Sequence, residues 1–432
     1  MPRRIAVVGG GWAGLAAAVQ ARRLGLEVCL FEMSAQLGGR ARSLPANTGT
    51  NIHSAQRLDN GQHILIGAYT QSLDLMRTIG VDLNEALLRT PLRLRYPDHE
   101  GLRLPTGHPL LAFTRGVLAY RQWPLATRLG LLAQSLQWLA SGFRCEPGLS
   151  VLELCHRLRP AAMQDLIAPL CVAALNTPAE RASAQVFLRV LRDALFSGPG
   201  SADLLLPRLP LSALMAEPAQ AWLAGHACDI RLATRAHRLD VDGRAWRLDG
   251  ECFDAVVLAC PAGEAARLVL PHHAAWAATA QSLHFEPIIT VYLESSGTRL
   301  PAPMVALQES PDEPAQFIFD LGQLGHTAGS FTMVISGASD WVARGLNATG
   351  EAALAQARAV LDWATTPTIE RVLAEKRATF ACTPGLRRPA NTVAVGLWAA
   401  GDYVDGPYPA TLEGAVRSGT MAAQLAAAHL QH

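Results

Sequence analysis

Charge is scarce in this chain. Asp, Glu, Lys and Arg together make up 17% of its 432 residues, and the net charge is +1. With no basic excess and no Lys/Arg-rich tract, the electrostatic footprint of a nucleic-acid-binding protein is missing. Cysteine offers little chemistry either. The 8 cysteines, at positions 29, 145, 155, 171, 228, 252, 260 and 382, form no C-x-x-C pair, and none stands near a histidine at metal-ligand spacing. That pattern argues against a metal centre and suits reduced thiols of a cytosolic protein, packed as small hydrophobes. No stretch of the roughly 18–20 residues that a membrane-spanning helix needs is both uncharged and continuously apolar. Internal repeats and low-complexity linkers are also missing, which excludes solenoids and arrays.

What is present is mostly apolar. Hydrophobic residues are 50% of the chain, enough for a large core, and its length suits two domains. Arg3 and Arg4 precede an apolar run and imitate a targeting segment. The run carries Gly9, Gly10, Gly11 and Gly14 at meaningful spacing, so it reads as a strand and turn instead. Ile5-Ala6-Val7-Val8 has the composition of a buried parallel strand. Gly9-Gly10-Gly11-Trp12-Ala13-Gly14 then fits G-x-G-x-x-G. Gly9 permits the tight turn, Gly11 lets the backbone approach a pyrophosphate, and Gly14 allows close helix–strand packing. The helix over Trp12 to Leu24 offers free N–H groups and a positive dipole end to the phosphates. Glu32 closes the next strand, where an acid accepts hydrogen bonds from the adenosine ribose and repels a 2′-phosphate. Leu37-Gly38-Gly39-Arg40-Ala41-Arg42 follows, with two glycines for a second close approach and an arginine that can pair with phosphate. An NAD fold has no need of that loop, so the cofactor is read as FAD.

Further along, residues 33–63 suggest an extended loop over a ligand and 64–90 look helical. Residues 91–105 alternate as a hairpin, and 109–195 turn helical. Strands are expected at Ile230-Arg231-Leu232, Ala245 to Leu248, Ala255 to Leu258, Ile288 to Leu293, Phe331 to Ile335 and Leu397 to Asp402. Helices are expected over 352–364 and from Thr411 to His429. Nucleotide-type elements thus occur at the start, middle and end. The expected fold class is α/β. A Rossmann-like FAD domain of the two-loop type (1–90, 215–275 and 365–432) interleaves with a mixed-sheet and helical substrate domain (91–214 and 276–364).

The Gly-rich turn, Glu32, the Gly-Gly-Arg loop and the tail Gly401-Asp402…Glu413-Gly414-Ala415-Val416-x-Ser418-Gly419 resemble the flavin amine oxidase and phytoene desaturase superfamily. The resemblance implies FAD held by Gly9, Gly11, Trp12, Ala13, Gly14, Glu32, Gly39, Arg40, Gln62, His63, Ala236, Gly401, Asp402, Leu412 and Glu413. The tail acid would sit near the pyrophosphate or ribityl chain, the last helix would point its N-terminus at the flavin, and Ala236 would meet adenine through its backbone. Further segments are similar to the hydroxysqualene dehydroxylase family, desaturase-like flavoenzymes of hopanoid pathways. They are Asp59-Asn60-Gly61-Gln62-His63, Ala174-Leu175-Asn176-Thr177-Pro178, Leu206-Pro207-Arg208, Lys376-Arg377-Ala378-Thr379-Phe380 and Pro407-Tyr408-Pro409-Ala410-Thr411. That resemblance spans nearly the whole chain and implies an isoprenoid substrate, hydroxysqualene, reduced to squalene by flavin hydride. One departure is Gln316-Phe317-Ile318-Phe319-Asp320-Leu321, which keeps the aromatic of a Gln-Trp-x-Phe-Asp-Arg-like stretch and loses its charge.

Thr411 stands where amine oxidases of this type carry an aromatic residue, so an amine substrate fits poorly. Residues 109–142 are rich in Leu with scattered Arg115, Arg121 and Arg128. They read either as core helices or as an interfacial pair at the inner face of the cytoplasmic membrane, through which an oily substrate leaves the bilayer. A leaving hydroxyl needs an acid, and the candidates are His63 and Asp320. His63 is either that donor or a structural hydrogen bond holding its loop; Asp320 is either a donor or a strand-end turn residue. There is no second G-x-G-x-x-G, so electrons would arrive from another protein or from free reduced flavin. An oxidative carotenoid-precursor desaturase and a non-catalytic FAD-binding carrier are the competing readings.

Overall fold

The structure is a computed structural model that describes residues 3–44 and 57–431. Part of the loop expected over 33–63 therefore lies outside the described residues. A six-stranded sheet forms the first layer, in the order Thr392–Ala394, Leu397–Ala399, Ala255–Leu258, Arg4–Val8, Glu27–Phe31, Asp229–Arg231. Its pairs are parallel except the outermost, Thr392–Ala394 with Leu397–Ala399. The central strands are buried along their lengths, which is why they are continuous apolar runs. Trp12–Arg23 packs on one face of this sheet, against the last helix, Leu412–Leu430. That order brings the start, middle and end of the chain into one sheet.

A second sheet lies beyond it. Its five strands run Met304–Ala306, Phe317–Asp320, Ser330–Ile335, Phe285–Glu294, Thr368–Phe380, antiparallel throughout. Thr368–Phe380 pairs along almost the whole of Phe285–Glu294 with two register shifts. One face of this sheet forms an apolar cluster with the Leu346–Val360 helix, through Val291, Phe331, Leu354 and Ala357.

Local periodicity does not mark every element. The stretch 64–90 contains the helix Thr70–Thr78 but also the strands Leu65–Ile66 and Leu87–Thr90. Both strands pair with Leu204–Pro207, more than a hundred residues away. The helix expected over 352–364 runs Leu346–Val360 and ends where Leu361 turns extended. The hairpin pairs Arg93–Arg95 with Glu100–Arg103.

The region 109–142 resolves into two helices, Pro109–Ala119 and Leu125–Ala140. Phe113, Val117, Leu131 and Trp138 face inward. A second apolar stripe faces outward: Leu111, Leu125, Leu129 and Leu136 are 56%, 57%, 51% and 65% exposed. The inward face fits the core reading, and the outward face is exposed. No helix among the described residues is long and apolar enough to cross a membrane.

Candidate flavin and substrate site

A single cavity of about 740 Å³ runs from the C-terminal ends of the parallel strands to the antiparallel sheet. At its first end, Gly11 caps the first helix and its carbonyl accepts from Leu15 N. The amides of the first turn are left without intrahelical partners. Gly14 is needed here because a Cβ would lie 1.8 Å from Gly9 O. Glu32 is buried, and both of its oxygens are fixed, Oε2 by Gly10 N and Oε1 by Ser34 N, each at 2.7 Å. Thr234, Arg235 and Ala236 complete this end, with Ala236 O held by Arg267 Nη2.

The Gly38-Gly39 loop pairs with the Gly-rich turn, Gly38 N donating to Gly10 O at 2.8 Å. Gly39 has φ +63°, and a Cβ there would lie 3.0 Å from Gly11 Cα. Arg40 lines the cavity, held by Asp402 Oδ1 at 2.6 Å and by the carbonyls of Arg377 and Ala378. Asn60 Nδ2 ties Arg40 O to Glu375 Oε2, both at 3.1 Å.

His63 follows in the same loop, its Nδ1 2.9 Å from Gly61 O. A carbonyl only accepts, so Nδ1 carries the hydrogen and neutral His63 keeps Nε2 bare. Burial lowers the His63 pKa below its usual value, and nearby Arg40 adds to this, while the Gly61 bond opposes it. The imidazole is therefore neutral near pH 7.

Toward the antiparallel sheet the lining becomes apolar, with Ile288, Met304, Phe317, Phe319, Leu373 and Leu170. Glu375 stands on this wall, its Oε1 accepting from Arg377 N at 3.2 Å. Asn176 braces the wall with φ +48°; its Oδ1 accepts from Gly337 N at 2.6 Å and its Nδ2 donates to Thr379 Oγ1 at 2.9 Å.

Among the expected residues, Gly9, Gly11, Trp12, Ala13, Glu32, Gly39, Arg40, Gln62, His63, Ala236, Gly401, Asp402 and Leu412 all line this one cavity. Gly14 packs beneath the turn, in the close-packing role expected of it, and does not itself line the cavity. Two expectations change. Glu413 is buried outside the lining; its carboxylate accepts from Gln71 N, Ser72 N and Ser72 Oγ and pairs with Arg417. It therefore fastens the last helix to Thr70–Thr78. Asp320 is buried outside the lining as well, accepting from Leu300 N, Gln323 N and Gln323 Nε2. It caps the turn Leu321–Leu324, and that geometry leaves no proton-donor role to it.

Tyr69, Glu375 and Tyr403 are among the lining residues that escape a reading of the sequence, and Arg42 lines the cavity beside Arg40. Tyr403 Oη and Arg42 Nε are buried without hydrogen-bond partners. A buried orphan donor is costly, so both fit a cavity that holds a polar ligand. The turn amides, the Glu32 carboxylate and these orphan donors match the donor and acceptor needs of a dinucleotide flavin. No cluster of His, Cys, Asp or Glu that could hold a metal ion occurs among the described residues.

Comparison with known proteins agrees with this geometry. The pattern of the family described as flavin-containing amine oxidoreductase matches residues 12–427, and the chain belongs to that family. It is a flavin-dependent oxidoreductase. Within the family it groups with the hydroxysqualene dehydroxylases. It is 30% identical to the hydroxysqualene dehydroxylase of Rhodopseudomonas palustris over 98% of each chain. It is 27% identical to that of Sinorhizobium fredii over 99% of each. The fold is similar to that of a crystallised oxidoreductase from Methanosarcina mazei, with TM-score 0.75 and 14% identity, covering 98% of this chain and all of that one.

Proposed function

We propose that this protein binds FAD and removes the hydroxyl of hydroxysqualene by reduction, giving squalene. The observation that carries the reading is the continuity of the cavity. The polar end, with the Gly-rich turn and Glu32, and the apolar wall of the antiparallel sheet line one cavity, and His63 and Glu375 line it with them. In the balanced reaction the carbon–oxygen bond breaks, the hydroxyl takes a proton and leaves as water, and the carbon gains a hydride. Reduced FAD, when bound, would supply that hydride and bring negative charge into the cavity.

The chain's own residues divide the remaining work. Arg40, Asp402 and Glu32 hold the cofactor end in place. The apolar wall excludes water from a transient cation. Glu375 places a carboxyl on that wall, where negative charge stabilises a developing cation. His63 is the proton donor, under a condition that its surroundings set. Burial and Arg40 keep it neutral, whereas a negative charge in the same cavity raises its pKa. Proton donation by His63 is thus tied to the reduced, anionic cofactor.

The outward leucines of Pro109–Ala119 and Leu125–Ala140, with exposed Arg115 and Arg121 beside them, suit peripheral docking on the cytoplasmic face of a membrane, where such a substrate dissolves. The electron donor to the flavin is read as another protein or free reduced flavin. The test is product analysis under anaerobic conditions. Incubation with hydroxysqualene and reduced flavin is expected to yield squalene. Desaturation of phytoene with an acceptor, and no squalene, would overturn the reading in favour of an oxidative desaturase.

A further inference from the structure

We propose that Asn60 is a positioning residue for Glu375. Its neutral side-chain amide holds the carboxylate on the cavity wall without cancelling its charge, so the wall keeps an unpaired negative charge for a cationic hydrocarbon. This inference rests on the proposed part of Glu375 in stabilising a transient cation.

Asn60 is fixed through its own backbone, where its N–H donates to Arg42 O at 2.8 Å. Asp59 before it is pinned as well. Its Oδ1 accepts from Ser43 Oγ at 2.7 Å and from Leu211 N at 3.0 Å, and its carbonyl accepts from Tyr292 Oη at 2.8 Å. Gly61, at φ +112°, then turns the chain toward His63. The side chain therefore rises from a held base. A side-chain amide carries two N–H donors on one nitrogen. Asn60 Nδ2 faces two acceptors, Arg40 O and Glu375 Oε2, so both hydrogens are used and the partners settle the orientation of the amide.

Glu375 is held at its other oxygen too, where Oε1 accepts from Arg377 N at 3.2 Å. Arg40 grips the same segment, donating to the carbonyls of Arg377 and Ala378 at 3.2 and 2.6 Å. Arg40 is also the nearby cation, but its guanidinium is paired with Asp402 Oδ1 at 2.6 Å. Among the described residues, both donors to Glu375 are neutral amides, and its carboxylate has no salt-bridge partner. The kind of donor matters. A lysine or arginine at this place would orient the carboxylate and neutralise it. A neutral amide leaves the charge to act on a ligand, and beside an apolar wall that charge acts strongly. Without the Asn60 bond, a glutamate side chain with several free torsions is no longer confined to one rotamer.

A cationic probe tests this without turnover. The flavin-loaded protein is titrated with octyltrimethylammonium and with octyldimethylamine N-oxide, a net-neutral analogue of similar size, and the perturbation of the flavin absorbance is followed. The wild type is expected to favour the ammonium, and Glu375→Gln is expected to abolish that preference. Asn60→Leu, which keeps the volume and removes the donor, is expected to weaken ammonium binding about fivefold and to leave N-oxide binding within about twofold. In the Glu375→Gln background the same substitution is expected to change neither by more than about twofold, because Asn60 acts through Glu375. Asn60→Ala, which adds no bulk, should reproduce the pattern with flavin content unchanged. Equal weakening of both probes, or the same weakening with and without Glu375, would overturn the proposal. So would a wild type that does not favour the ammonium, or loss of flavin from both Asn60 variants. Turnover of hydroxysqualene is scored separately. Absent squalene with the coupling intact would reject the reaction and keep Asn60 as the residue that positions Glu375.

Discussion

At Glu32, backbone amides from Gly10 and Ser34 orient both carboxylate oxygens, which leaves the remaining lone pairs for the ribose that the proposed function assigns to this end of the cavity. Glu32→Arg puts a donor where an acceptor is needed and leaves those two amides unpaired. The variant is expected to purify without flavin, as read from the absorbance spectrum, and full flavin content would show that the ribose lies elsewhere. At His63 the lowered pKa has a sign. The folded state takes up its proton less readily than the unfolded chain, so stability is highest above the ordinary histidine value near 6.5 and falls as pH drops below it. His63→Gln should flatten that part of a melting-temperature profile. In the flavin-loaded protein, ¹⁵N resonances of His63 should report a higher pKa after flavin reduction than before it. The same substitution should lower turnover by roughly 10²–10⁴-fold with flavin retained; unchanged turnover would remove His63 as the acid. Glu375→Gln is expected to reduce turnover by roughly 10²-fold through lost cation stabilisation, again with flavin bound. Glu32, Arg40 and His63 were legible in the sequence because their settings are local: a strand end, a Gly-Gly loop, a short Gly-containing turn. Glu375 and Tyr403 were not. Glu375 reaches the cavity wall only because Thr368–Phe380 pairs with a strand some eighty residues earlier. Asp320 and Glu413 carried the right chemistry in the wrong place, since a cap or a buried clamp looks like a free acid until its donors are known.

The helices Pro109–Ala119 and Leu125–Ala140 are apolar on two faces, which is why their sequence supported both a core and a membrane reading. Burial separates them: the stripe with Phe113, Leu131 and Trp138 is core, and the stripe with Leu125, Leu129 and Leu136 is exposed. An alkaline carbonate wash should release the protein from membranes, and retention would indicate a deeper insertion than docking. Leu129→Glu with Leu136→Glu should shift the protein from the vesicle-bound to the free fraction in flotation with anionic vesicles, without changing its melting temperature, because neither side chain packs inward. Binding that survives both substitutions would place the docking surface elsewhere. Long elements with strict patterns, such as Phe285–Glu294 and Leu412–Leu430, were readable in the sequence. The short strands Leu65–Ile66, Leu87–Thr90 and Leu204–Pro207 were not, because each exists only through partners distant in the chain.

Across the whole molecule, the first, middle and last parts of the chain meet in one parallel sheet. The cavity begins at that sheet's C-terminal edge, where α/β folds place their ligands. The antiparallel sheet supplies the opposite, apolar wall, so the order of the chain itself sets a polar and an apolar compartment side by side. That much of the architecture followed from composition and from the recurrence of nucleotide-type strands. The closure of the cavity by Thr368–Phe380 required tertiary pairing. The central claim is that two electrons pass within this cavity from flavin to an isoprenoid carbon while the hydroxyl leaves as water. An anaerobic single turnover in D₂O tests it most directly, because the hydrogen on N5 of reduced flavin exchanges with solvent. The account predicts squalene carrying one carbon-bound deuterium for each flavin oxidised. Flavin that stays reduced, or squalene without that deuterium, would contradict it.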